Sequence, residues 1–244
     1  MKQKMNSYRG LITWSLNRHK FYIPLFIVIQ IIIAFAITYG FAFITNASEG
    51  IEKSFLYTGG IVINIITVTC VLAPQIVNEA KQNGIFEYQK TLPLARLGIL
   101  LADVTTWVII ALPGIIVSII ISSLQADMAI TVDFFAMSSM LLAIFALTLV
   151  GFSIAYMLPS NVVALITQVI MLGGLLFSPI VYSADRLPAW AECIYNVLPF
   201  VPVSNIIRAS LFSLQNVMLY DYIVVCCWGA VGFVVSMYVL MRRK

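Results

Sequence analysis

Side chains able to make or break bonds are few in this sequence, and they do not converge. His19 is the sole histidine and lies between Arg18 and Lys20, which excludes a two-histidine zinc motif and reads as an interfacial position. The four cysteines, Cys70, Cys193, Cys226 and Cys227, have neither metal-ligand spacing nor the pattern of a disulfide framework. Three of them sit in apolar runs, where cysteine serves as a small buried hydrophobe; Cys193 is expected to face outward. No G-x-x-x-x-G-K-[ST] phosphate loop occurs, so this chain alone is not expected to hydrolyse ATP, and no G-x-S-x-G elbow occurs either. Asp103 is the nearest approach to an intramembrane charge, five residues past Gly98 at the start of an apolar run. A charge within a span is a functional candidate, but a boundary residue paired with Lys or Arg is the favoured reading.

The elements around these residues are set by hydrophobicity. Six apolar runs, Phe21–Thr45, Ser54–Asn78, Gly98–Ser123, Phe134–Leu158, Asn161–Tyr182 and Tyr220–Met241, each approach or exceed the ~20 residues that carry a helix across ~30 Å of hydrocarbon. Backbone in lipid must satisfy its hydrogen bonds within the segment, which selects helices. The chain has 244 residues, 61% of them hydrophobic and 10% charged, against about 25% charged in a soluble domain. Six spans and their connections use nearly all of residues 1–244, so the expectation is a single all-α transmembrane domain with no soluble domain appended. The first run is too long for the apolar core of a signal peptide and lacks a small-residue cleavage site, so it reads as a retained span.

Eleven Lys and Arg fall on one side of this topology and three, Lys53, Arg186 and Arg208, on the other. The positive-inside rule then places both termini in the cytoplasm. The basic residues sit at membrane edges and form no face of the kind that binds nucleic acid. Before the first span, Met5, Tyr8, Leu11, Ile12, Ser15 and Leu16 recur at helical spacing, which predicts an interfacial helix. Pro74 and Pro113 are expected to kink their spans. Between the fifth and sixth runs, Trp190, Ile194, Val197, Leu198, Phe200, Ile206, Ile207 and Leu211 predict short helices re-entering the outer leaflet as a hairpin.

Two stretches carry a family resemblance. Glu79–Arg96, with Gly84, Glu87, Thr91, Pro93 and Arg96, resembles the loop between the second and third spans of ABC-2 type transporter permeases. Ile85 stands where the family often has Thr, and Gln89 where it often has Leu. Leu175-Leu-Phe-Ser-Pro-Ile-Val-Tyr182, followed by Leu187-Pro-Ala-Trp190, Asn196-Val-Leu-Pro199 and Ile207-Arg208, resembles the end of the fifth span and the external hairpin of that family. Here the usual Asn-Pro is stretched by two residues. Order and separation of the two stretches fit over essentially the whole chain. The resemblance implies the membrane subunit of an ATP-driven exporter in a bacterial plasma membrane, working with a second copy of itself or a similar permease. It also implies separate ATPase subunits that bind ATP and Mg, with no cofactor in this chain.

Within that frame, a short helix with apolar knobs fits a groove of a cytoplasmic motor. Ile85, Phe86 and Tyr88 are the expected knobs, Glu87 a charged partner, and Gly84 and Pro93 the punctuation of its ends. The resemblance also implies that spans two and five line the path. Leu175, Leu176 and Phe177 are then the expected gate, an apolar constriction that closes by dewetting; ordinary bundle packing is the alternative. Asn64, Thr67, Thr167 and Gln168 are candidate path residues, although in-span polar groups serve equally as interhelical hydrogen bonds. Thr69 stands with Asn64 and Thr67 on the second span, Gln30 and Tyr39 on the first are weaker candidates, and an Arg208–Glu192 pair is a further expectation. The absence of a charge cluster in the spans favours an apolar or amphipathic cargo such as a drug, lipid, lipid-linked glycan or peptide. A membrane-embedded lipid-modifying enzyme would need convergent acids, His or Lys. An ion-coupled carrier or channel would need paired mid-span charges or repeated broken helices.

Overall fold

A computed structural model describes residues 2–40, 50–91, 94–125, 131–176, 178–182, 188–212 and 218–242. Among these residues it contains helices and no strand. Helix α1 is Lys2–His19. Helix α2, Tyr22–Phe35, runs on into a π turn at Ala36–Gly40. Helix α3 comprises Gly50–Ile66, a π turn at Thr67–Leu72 and Ala73–Gln82. Then come α4 (Ile85–Thr91), α5 (Arg96–Gln125), α6 (Phe134–Met157), α7 (Ser160–Leu176), α8 (Ala189–Val197), α9 (Phe200–Phe212) and α10 (Leu219–Met241).

Among the described residues, five helices are long and apolar enough to cross a membrane: Tyr22–Gly40, Ser54–Gln82, Arg96–Leu124, Phe134–Met157 and Leu219–Met241. The fifth expected span departs from this pattern. Helix α7 has 17 residues, about 26 Å at 1.5 Å per residue, and ends well before Tyr182. The local sequence explains the early stop. Beyond Gly173-Gly174 the chain closes a wide turn through Ser178 N–H to the Gly173 carbonyl (3.1 Å), and Pro179 has no N–H to continue a helix. Ile180 and Val181 then pack inside the bundle, Val181 against Gly59 of α3, where a Cβ would lie 2.8 Å from its methyl group. The apolar run is thus long enough for a full span, but Ser178–Val181 form a buried return.

Helix α6 lies centrally, with its longest contact along α10. Small residues let the backbones approach: a Cβ on Gly232 of α10 would meet the Leu149 backbone at 2.7 Å, and one on Gly151 would collide with the Thr69 carbonyl of α3. Both prolines shape their helices. Pro74 cannot donate to the Cys70 carbonyl, and the preceding turn widens to π register, the Ala73 N–H reaching Val68 O. Pro113 is accommodated inside α5. Around it the carbonyls of Ile110 and Gly114 accept from Gln30 Nε2 (3.2 Å) and Asn64 Nδ2 (3.2 Å).

The segment between α7 and α10 carries the expected pair of short helices. They differ in character. Helix α8 leaves Trp190, Ile194 and Val197 exposed, whereas nearly all of α9 is buried against α3, α6 and α10.

Candidate functional site

The site is built at the end of the bundle where α3 stops. The Asn83 N–H returns to Glu79 O (3.0 Å) and the Gly84 N–H to Lys81 O (3.3 Å). Gly84 has φ 73°, the left-handed conformation that ends helices and that glycine adopts without steric penalty. Helix α4 begins at the next residue. Lys81 and Arg96, two cations of this connection, act as helix caps. Lys81 Nζ donates to the carbonyls of Ala155 (3.4 Å), Tyr156 (3.3 Å) and Leu158 (3.0 Å) at the end of α6. Arg96 donates to Gln89 O (3.4 Å) and Lys90 O (2.5 Å) at the end of α4. Positive charge at these C-termini complements the helix dipole.

Helix α4 is two-faced. Phe86 and Gln89 point into the bundle, three residues apart on one side. Phe86 is 4% exposed and packs 4.9 Å from the Tyr156 ring. This corrects the expectation that Phe86 is an outward knob. Its ring holds α4 to α6, and Lys90 Nζ covers its other side at 4.3 Å. Ile85 is half-buried. Glu87 and Tyr88 face outward, their exposures 64% and 58%. Glu87 accepts from Lys90 at 3.2 Å.

Gln89 connects this helix to the interior. Its Nε2 donates to Asp103 Oδ2 of α5 (3.3 Å), and Ser15 Oγ of α1 donates to Asp103 Oδ1 (3.1 Å). One carboxyl therefore ties α1, α4 and α5 together. Asp103 is buried and hydrogen-bonded by these neutral donors, and the Arg18 charge of α1 acts on it as well, in keeping with the expected basic neighbour. Tyr8 reaches the same stretch of α5, 2.7 Å from Thr105 Oγ1. His19, expected at an interface, is also buried, with its ring 5.6 Å from that of Trp107 and Nδ1 2.7 Å from Ser15 O. Burial, aided by the neighbouring Arg18 charge, lowers its pKa to about 4. A neutral ring at neutral pH has one N–H, and the Ser15 carbonyl is its acceptor at Nδ1. Beside these residues, Trp14, Asn17, Arg18, Gly84, Ile85 and Tyr88 line a groove of about 520 Å³, open between α1 and the start of α4.

The four expected path residues separate. Asn64 is buried and donates to Gln30 O (3.1 Å), Gly114 O (3.2 Å) and Ser118 Oγ (3.0 Å). It fastens α3 to α2 and α5, so its place on a path is corrected to a structural one. Thr167 is buried and accepts from Gln75 Nε2 at 3.2 Å, linking α7 to α3. Thr67 lies in the π turn of α3 and donates to Ile63 O. It lines a crevice of about 210 Å³ with Ile37, Ile63, Ile66, Met171 and Gly174, where α2, α3 and α7 meet. Gln168 stands exposed on α7. The expected gate falls at the end of α7, but Phe177 and the side chains of Leu175 and Leu176 lie outside the described residues, as does Pro93.

At the opposite end of the bundle, Arg208 is buried without the expected Glu192 pair. Its guanidinium donates to Ile180 O (3.1 Å), Ser204 Oγ (2.8 Å) and Asn205 Oδ1 (3.2 Å), and stacks over Phe55 at 3.6 Å. Asn205 in turn donates to Asp221 Oδ1 of α10 (3.4 Å). This network holds the Ser178–Val181 return in place. Only Arg208 and the polar spacing Ser204-Asn205 marked it in the sequence.

These features define a polytopic helical membrane protein with a short two-faced helix anchored at one end of its bundle. The model of the ABC-2 type transporter family matches residues 6–212, from within α1 to the last residue of α9, and the chain belongs to that family. Comparison with curated protein sequences gives no match.

Proposed function

We propose that the chain is the membrane subunit of an ATP-driven exporter, with its motor a separate ATPase that binds ATP and Mg and docks on Glu87 and Tyr88. The single observation supporting this reading is the division of α4. Its outer face presents an aromatic ring and a carboxylate. Its inner face is tied by Phe86 to α6 and by Gln89 to α5 and, through Asp103, α1. A push on the outer face is thereby delivered to three helices at once. Gly84, with its left-handed turn, sets the angle at which α4 leaves α3, and Ile85 borders the groove that would receive the motor. Both termini are then cytoplasmic, as the distribution of basic residues requires, with α1 at the cytoplasmic interface of a bacterial cell membrane and α8 and α9 re-entering from outside.

A second membrane subunit, identical or similar, completes the path. Leu165, Gln168, Val169 and Leu172 form an exposed stripe on α7, and Gln168 favours a protein or aqueous neighbour over hydrocarbon. The cargo is amphipathic or apolar and moves along α3 and α7, past Thr67 and the gate residues Leu175, Leu176 and Phe177. The test is affinity purification of the tagged chain from its native membranes, followed by an ATPase assay. ATPase activity should accompany the wild-type chain and fall severalfold with Glu87→Ala/Tyr88→Ala, while the membrane subunit stays folded. Equal ATPase recovery with the double variant would remove the docking assignment.

A further inference from the structure

Behind α4, on the side away from the α1 groove, lies a hollow of about 810 Å³ between the end of α6 and the last turns of α10. Lys81, Lys90 and Arg242 line it with Glu87 as the one carboxylate, and its walls include Tyr156, Val234 and Tyr238. A second hollow of about 650 Å³ shares Glu87, Lys90 and Arg242 and adds Arg96. Positive charge therefore exceeds negative along the whole concavity. Glu87 pairs with Lys90, and Lys81 donates to the carbonyls at the end of α6.

The depth of the hollow identifies its occupant. Val231, Val234, Tyr238 and Met241 form an exposed stripe on α10 at spacings of three and four, the lipid-facing side of a 23-residue membrane helix. Arg242 follows that helix directly, at headgroup level, with Tyr238 one turn deeper where interfacial tyrosines collect. One end of the hollow is thus cationic and the other opens between apolar side chains facing acyl chains. A water-soluble subunit reaches the first end and not the second. The geometry points to a resident anionic glycerophospholipid: its phosphate lies between Lys90 and Arg242, its glycerol lies beside Tyr238, and one acyl chain runs along Val234. Basic pockets between membrane helices are suited to such headgroups. A zwitterionic headgroup would bring its own cation toward three others. The hollow shares Glu87 with the face on which the motor is proposed to dock, but the assignment rests on the lipid-facing side of α10 and is read by lipid retention rather than ATPase activity, so the two readings fail separately.

The test uses the full-length chain with whatever subunits copurify, exchanged into equal amounts of phosphatidylglycerol and phosphatidylcholine with identical acyl chains, and read by native mass spectrometry. The wild type should retain phosphatidylglycerol preferentially. Each basic residue near an anionic surface is worth roughly fivefold in affinity, so Lys90→Gln/Arg242→Gln should weaken retention roughly thirtyfold. Lys20→Gln, an exposed cation elsewhere, should leave it unchanged. Should the double variant fail to fold, Val234→Trp fills the acyl seat without altering charge and should also abolish the preference. Equal retention of the two lipids by the wild type, or undiminished phosphatidylglycerol on the folded variants, would overturn the assignment. So would a photo-crosslinker at position 234 that captures protein in place of lipid.

Discussion

Coupling through Asp103 can be separated from docking by a double-mutant cycle. Gln89→Leu keeps the side chain's bulk and removes the donor to Asp103 Oδ2. That oxygen is buried and left without this partner, which costs about 1–3 kcal/mol. Asp103→Leu removes the acceptor and orphans Gln89 Nε2 and Ser15 Oγ, a cost of the same order, eased where the Ser15 hydroxyl turns back to its own helix. Replacing both partners by apolar groups removes Asp103 Oδ2 and Gln89 Nε2 together, and the loss at Ser15 Oγ is common to Asp103→Leu and the double variant, so the double variant should be about 1–2 kcal/mol more stable than the sum of the single losses. The cycle is read from denaturant unfolding of purified protein. Under the proposed docking on Glu87 and Tyr88, function divides in the same experiment: Gln89→Leu leaves those two residues untouched and should keep the ATPase bound, yet transport less per ATP hydrolysed. Additivity within about 0.5 kcal/mol, together with unchanged transport per ATP, would refute the idea that this carboxyl links the three helices.

Packing of α10 on α6 should be similarly sensitive: Gly232→Val places its Cβ against the Leu149 backbone at 2.7 Å, and the cost is expected to exceed about 3 kcal/mol, visible as loss of monodisperse protein on gel filtration. His19 gives a pH dependence of definite sign. Its folded pKa of about 4 lies below the ordinary 6.5, so between these values the unfolded chain binds more protons. Stability should be constant above about pH 6.5 and fall by up to about 3 kcal/mol as pH drops toward 4. That loss should be absent from His19→Gln, as measured by thermal midpoint across pH.

Hydrophobic length predicted where helices lie and did not predict which of their faces meet. The spans at Phe134–Met157 and Leu219–Met241 agree with their apolar runs to within a residue or two, because a charge or turn bounds each run. At Asn161–Tyr182 the run continues past the helix, since Ile180 and Val181 are as apolar inside the bundle as they would be in lipid. Phe86 shows the same limit in a shorter element. Three apolar residues in four made α4 legible, but which of them faces outward depends on Tyr156, seventy residues away. The α1 face was read at Tyr8, Leu11, Ile12 and Ser15. His19 continues it at helical spacing, masked by the charges on either side.

Asn64 and Gln168 show why polar residues in spans resist assignment from sequence alone. Both are carboxamides within apolar runs, and both must find partners. Asn64 meets the carbonyl of Gly114, one residue from Pro113, together with Gln30 O and Ser118 Oγ. Its Nδ2 finds all of these acceptors within its own chain and ties together three helices that could otherwise slide on apolar contacts. Gln168 lies on an exposed face of the 17-residue helix α7, with Leu165, Val169 and Leu172 around it. A carboxamide left in hydrocarbon is costly, and this is the reason for proposing a second subunit or an aqueous path on the face that carries Gln168. Burial of one amide and exposure of the other therefore separate a clamp within the chain from an open face on α7, the helix whose Met171 and Gly174 line the crevice shared with α2 and α3, and that face is where the proposed path is to be sought.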